Sequence, residues 1–117
     1  MSRSATARRT PKETDIEVSI DLDGSGTATV STGLPFFDHM LDQLGRHGGF
    51  DLRVDATGDL HVDGHHTVED TGILVGEVFR QALGDKAGVR RFASGAFPLD
   101  EALVEVALDL SGRPFVV

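Results

Sequence analysis

Thr14-Asp15-Ile16-Glu17-Val18-Ser19-Ile20-Asp21-Leu22 alternates without a break, with Ile16, Val18, Ile20 and Leu22 on one side and Asp15, Glu17, Ser19 and Asp21 on the other. Successive side chains of a strand point to opposite faces, so this stretch is a half-buried strand whose apolar side needs a second layer. Asp23-Gly24-Ser25-Gly26 supplies turn chemistry and residues 27–31 read as a return strand, which predicts an antiparallel hairpin. Pro35 then suits the first turn of a helix, and Phe36, Phe37, Met40, Leu41 and Leu44 follow at helical spacing. Residues 50–56 alternate again, Gly58-Asp59 turns, and residues 60–62 form a short strand running into Asp63-Gly64, a natural helix start. In the second helix Val68, Val75, Val78, Phe79 and Ala82 gather on one side, and Gly84 is expected as its left-handed C-terminal residue. Residues 88–97 show no decisive period. Residues 102–110 are a strand, residues 111–114 a turn, and Phe115-Val116-Val117 begins a further apolar strand whose uncovered edge suggests a chain cut mid-fold.

At 117 residues the chain can form one domain with a real core. Its net charge of -8, from 19 acidic against 11 basic residues, argues against a general binder of nucleic acid or anionic membranes. No run approaches the roughly 18 apolar residues of a membrane helix, and the first residues lack the apolar segment of a secretory signal, so a cytoplasmic protein is expected. Residues 1–10 read as a flexible tail. Cysteine is absent, which removes a thiolate zinc site, a disulfide framework and a cysteine nucleophile.

The chemistry concentrates in His65-His66-Thr67-Val68-Glu69-Asp70. At about 100° per helical residue, Glu69 falls between the two histidines, and all three share an arc of about 100° opposite the apolar stripe. That face is either solvent or an interface site. Imidazole with carboxylate suits borderline divalent ions, manganese, iron, cobalt and zinc among them. A polar helix start, with Glu69 and Asp70 favoured by the helix dipole, would look the same. All five histidines lie between His39 and His66. By themselves, His39 reads as a hydrogen-bonded boundary residue, His47 as structural on the apolar side, His61 as surface, and Arg90-Arg91 as a solvated pair.

Four ordered motifs converge: Leu34-Pro35-Phe36-Phe37-Asp38-His39-Met40-Leu41, His47-Gly48-Gly49-Phe50-Asp51-Leu52, Gly58-Asp59 leading into His65-His66-Thr67-Val68-Glu69-Asp70, and Asp109-Leu110-Ser111-Gly112-Arg113-Pro114. Together they resemble the imidazoleglycerol-phosphate dehydratases of histidine biosynthesis, over nearly everything from residue 10 to residue 117. The resemblance implies an α+β fold, a two-layer α/β half-domain with an antiparallel sheet packed on helices, similar to domain 2 of ribosomal protein S5. It implies a first α/β repeat over residues 11–90, carrying the metal helix, and over 91–117 the truncated beginning of a second. It also implies manganese, two ions per complete active site, with His39, His65, His66 and Glu69 as ligands and the adjacent histidines serving different ions.

On the same grounds Arg91 and Arg113 are expected to grip a substrate phosphate, for which a guanidinium fork is suited. Glu13 is expected as an acid/base residue reaching a neighbouring subunit's site, Asp100 as a catalytic carboxylate in the active site or one lying just behind it, and His47 as a residue behind the ligands. The implied reaction takes water from D-erythro-imidazole glycerol phosphate to give imidazole acetol phosphate. Its difficulty is a proton on carbon beside an imidazole ring, with no carbonyl to take up the charge. The implied partners are this phosphorylated imidazole and copies of the chain, in a homo-oligomer of twenty-four subunits, with no nucleic acid and no membrane. Only the first of the family's two HHxxE motifs is in the sequence, so the chain alone is expected to be inactive. A metal-dependent hydrolase and a non-catalytic, metal-stabilised assembly module are the rival readings.

Overall fold

The structure, a computed structural model, describes residues 2–117 and divides into two compact units, one ending at Asp85 and the other spanning Lys86–Val117. The first unit is a four-stranded sheet covered by two helices. Its elements are β1 (Ser4–Arg9), β2 (Thr14–Asp21), β3 (Ala28–Ser31), α1 (Pro35–Gly48), β4 (Asp51–Gly58) and α2 (His65–Leu83), with strand order β1-β2-β4-β3. The mixed α/β architecture expected from the sequence is present, and β2 buries Thr14, Ile16, Val18 and Ile20 on one face. Leu52, Val54 and Ala56 of β4 join them, and Leu41 of α1 and Leu74, Val78 and Ala82 of α2 close the second layer. Phe50 and Phe79 meet edge to face, ring centres 5.1 Å apart, pinning the start of β4 to α2.

Residues 4–9 are not a flexible tail: they form β1, antiparallel to β2 from Ser4 opposite Asp21 to Arg9 opposite Ile16. Ala5 and Ala7 pack inward on the core, while Arg3 and Arg8 make bidentate contacts to Asp23 and Asp15. Nor does β3 return along β2. It runs parallel to β4, which lies between them, so the sheet is mixed rather than wholly antiparallel. The loop after β2 is held by Asp51 at the start of β4, whose Oδ1 accepts the N–H groups of Ser25 and Thr27 at 2.9 Å each. With the loop pinned there, α1 becomes the long crossover that a parallel pair requires.

α1 starts at Pro35 as its sequence requires, and Thr32 donates through its N–H and hydroxyl to Asp38, folding the entry onto the first turn. It ends at Gly49 in the left-handed conformation, φ 72° and ψ 20°, which glycine adopts without a side-chain clash. α2 runs as expected to Leu83, but Gly84 has φ 56° with ψ -128°, outside the left-handed helical region. Its inward face differs near the start: Thr67, Asp70 and Thr71 are buried there, whereas Val68 is 41% exposed. Residues 60–62 are turn rather than strand, because the Asp59 carbonyl accepts the N–H groups of Val62 (2.8 Å) and Asp63 (3.3 Å) and winds the chain into the helix. A Cβ at Gly58 would run into Thr67 Oγ1, so glycine lets β4 and α2 approach.

The second unit is a hairpin, β5 (Phe92–Leu99) and β6 (Ala102–Asp109), turning through Asp100 and Glu101. Residues 115–117, expected to begin a strand, are not one in the structure. Among the described residues no helix is long and apolar enough to cross a membrane.

Candidate functional site

The two helix starts are neighbours. A Cβ at Gly64, just before α2, would meet the Leu34 side chain at 3.1 Å, and one at Gly33 would meet Leu60 at 2.6 Å. The first turn of α2 and the beginning of α1, which carries His39, therefore sit at the same end of the sheet. His39 is exposed there and, among the described residues, no hydrogen bond or ion pair ties it to the α2 histidines.

His65 and Glu69, one helical turn apart, point away from the core as the sequence predicts. His65 Nε2 lies 3.3 Å from Glu69 Oε2, and the His65 side chain is 73% exposed. His66 is turned elsewhere: its Nδ1 is 2.8 Å from Oδ2 of Asp59, whose side chain is only 14% exposed. Glu69 therefore sides with His65 rather than standing between the two rings, whose centres are 5.6 Å apart at 80°. The hydrogen bond to Asp59, and then its charge, raise the His66 pKa against a small opposing effect of burial; Glu13 and Glu69 add to the rise. The same bond lowers the Asp59 pKa. Glu13, exposed in the turn before β2, is thus electrostatically coupled to His66 of its own chain.

Asp70 faces inward. Thr14 Oγ1 donates to its Oδ2 at 2.8 Å and Arg9 Nε lies 3.5 Å from its Oδ1, so this carboxylate ties β1, β2 and α2 together. His47 does not face the apolar side; it is exposed, with Nε2 2.8 Å from Gln43 Oε1. His61 is exposed, as expected.

In the hairpin unit Arg91 is half-exposed, as a surface cation, and it is also paired. Its Nε and Nη2 donate to the two oxygens of Asp109 at 2.6 and 3.2 Å, and its guanidinium lies 5.0 Å from the centre of the Phe92 ring. The Arg91 bond lowers the Asp109 pKa, with Arg113 and Lys86 contributing through their charges. Arg113 is exposed in the turn after β6, where its backbone N–H donates to Ser111 Oγ at 3.1 Å. Asp100 occupies the first position of the hairpin turn at φ 50°, a conformation that Asp tolerates better than most residues.

The imidazole and carboxylate donors match the chemistry of a borderline divalent ion. They form a pair, His65 with Glu69, and a separate His66; among the described residues no three His, Asp or Glu side chains gather around one point. The fit is that of a partial ligand set. Sequence reading passed over Asp59. The available signal was chemical: a ligand histidine ordinarily donates its second N–H to a carboxylate, and Asp59 and Asp63 stand in the turn before the helix.

Comparison with known proteins bears on this geometry. Residues 32–117 match the family model of imidazoleglycerol-phosphate dehydratase. The whole chain is 60% identical to the dehydratase of Parafrankia sp. (strain EAN1pec) and 61% identical to that of Streptomyces avermitilis, covering 60% and 59% of their lengths. The fold superimposes on the Staphylococcus aureus dehydratase with a TM-score of 0.82 at 33% identity, over 96% of this chain and 60% of that one. For the Pyrococcus furiosus dehydratase the TM-score is 0.77 at 41% identity, over 92% and 56%. The chain thus spans about 60% of the length of the curated relatives it matches.

Proposed function

The chain belongs to the imidazoleglycerol-phosphate dehydratase family, and from that premise we propose that it supplies part of a manganese-dependent hydro-lyase of histidine biosynthesis. The substrate is D-erythro-imidazole glycerol phosphate, the product imidazole acetol phosphate, and the setting cytoplasmic. The observation that carries this reading is the outward His65/Glu69 pair beside an anchored His66, in a chain 60% identical over its whole length to a dehydratase.

Manganese, when bound, supplies Lewis-acid polarisation of the substrate's imidazole ring. His65 and Glu69, one turn apart, would hold such an ion, and His66 and His39 would offer further nitrogen donors at the same end of the unit. The family resemblance supports a homo-oligomer of twenty-four subunits. Glu13, reaching a neighbouring subunit's site as the family resemblance implies, takes the proton from the second carbon of the side chain, while the hydroxyl on the ring-attached carbon leaves as water, and the resulting enol becomes the ketone. Arg91 and Arg113 take the phosphate; two of Arg91's five N–H donors are used by Asp109, which leaves three for a ligand. Asp100 acts as an active-site carboxylate in addition to forming the turn.

Substituting these 117 residues for the matched segment of the Streptomyces avermitilis relative tests the reading. The hybrid is expected to dehydrate the substrate in the presence of manganese, and Glu69→Gln within it to lose that turnover. Full turnover with Gln at this position would remove the metal role of the helix.

A further inference from the structure

We infer that Asp59 is a positioning residue, which holds the His66 ring so that Nε2 is turned outward and free to meet a divalent cation. The inference deepens the metal reading above and rests on it. An ionised carboxylate only accepts hydrogen bonds, so the 2.8 Å contact between Asp59 Oδ2 and His66 Nδ1 requires the proton on Nδ1. In the neutral ring the lone pair is then left on Nε2. Asp59 is itself fixed: its carbonyl accepts two N–H groups in the turn before α2, and Gly58 beside it lies where β4 meets Thr67. Its other oxygen, Oδ1, is buried and among the described residues has no side-chain donor.

Among the described residues no carboxylate supports His65 in this way. Its Nε2 lies against Glu69, and a cation would have to enter between them. The adjacent imidazoles are therefore unequal, His66 preset by a carboxylate behind it and His65 free to adjust. Removing a carboxylate that supports a ligand histidine typically weakens metal affinity about 10- to 100-fold.

The test uses this chain labelled with 15N-histidine, without metal, at a pH above the imidazole titration. Long-range 15N NMR is expected to show His66 with its proton on Nδ1. Asp59→Ala, and the isosteric Asp59→Asn in case the first variant disturbs the turn, should both shift that tautomer. Mn(II) titration followed by EPR should then show affinity reduced about 10- to 100-fold in Asp59→Ala. A proton on Nε2 in the parent chain overturns the inference, as do two variants that leave both tautomer and titration unchanged. A parent titration no tighter than that of His66→Ala instead defeats the metal reading itself. The tautomer is measured without an ion, so the two failures are told apart.

Discussion

β2 and β4 of the four-stranded sheet and β6 of the hairpin carry the same alternating pattern, yet the sheet hides its apolar face and the hairpin displays its own. In the first unit Ile16, Val18, Ile20, Leu52 and Val54 are almost inaccessible beneath Leu74, Val78 and Ala82 of α2. In the hairpin the pairs Ala93/Leu108, Gly95/Val106, Phe97/Val104 and Leu99/Ala102 also fall on one side, but Phe97 is 62% and Leu99 75% exposed within the chain. Alternation makes a strand amphipathic without burying it. Burial takes a second layer, which α1 and α2 supply to the four-stranded sheet.

The largest test of this contrast places a charge on each apolar face. Val54→Asp, with no partner for its carboxylate in the core, is expected to abolish the cooperative urea transition followed by circular dichroism. Val104→Asp on the hairpin should leave that transition within about 0.5 kcal/mol of the parent. Equal damage from both would mean that the hairpin face is covered in solution.

A milder version removes volume. Leu74→Ala should cost about 2–5 kcal/mol. Next comes the buried carboxylate: Asp70→Ala strands the Thr14 hydroxyl and removes the counter-charge of Arg9, and should cost about 1–3 kcal/mol in the same measurement.

The smallest effect, on pH, separates the two carboxylate pairs. Because the His66 pKa is raised on folding, its stabilisation is complete below the unfolded imidazole value and is lost as pH rises through the folded value. Asp59 and Asp109 are lowered, so their contributions are present above the unfolded carboxylate value and lost as pH falls through the folded ones. Acid should therefore weaken both units, whereas the step above the unfolded histidine value belongs to the first alone. NMR titration of the His66 ring should show that step, and Asp59→Asn should move its midpoint down towards that of a free imidazole.

Much of the fold could be read from the chain because the strongest periods are local. β2, β4, β6 and both helices follow from apolar spacing and from Pro35. β1 was hidden because its inward positions are Ala5 and Ala7, which carry little hydrophobic signal, and because Arg8 and Arg9 resemble a solvated tail. The partner of β3 was missed for a different reason: period two says which residues share a face, and nothing about which strand lies alongside. At the candidate site, the outward direction of His65 and Glu69 followed from helix geometry. Asp59 did not, because it meets His66 across a turn from seven residues away.

The sequence by itself determined the amphipathic elements, the polar helix start bearing two histidines and a carboxylate, and membership of a family. Tertiary structure decided that β4 enters between β2 and β3, that Asp70 is an internal tie, and that His66 rather than His65 is held from behind by a carboxylate. The physical reason is one of range. Helical and strand periods are set by bonds between near neighbours, whereas pairing order and the orientation of a ring depend on groups brought together only when the layers close.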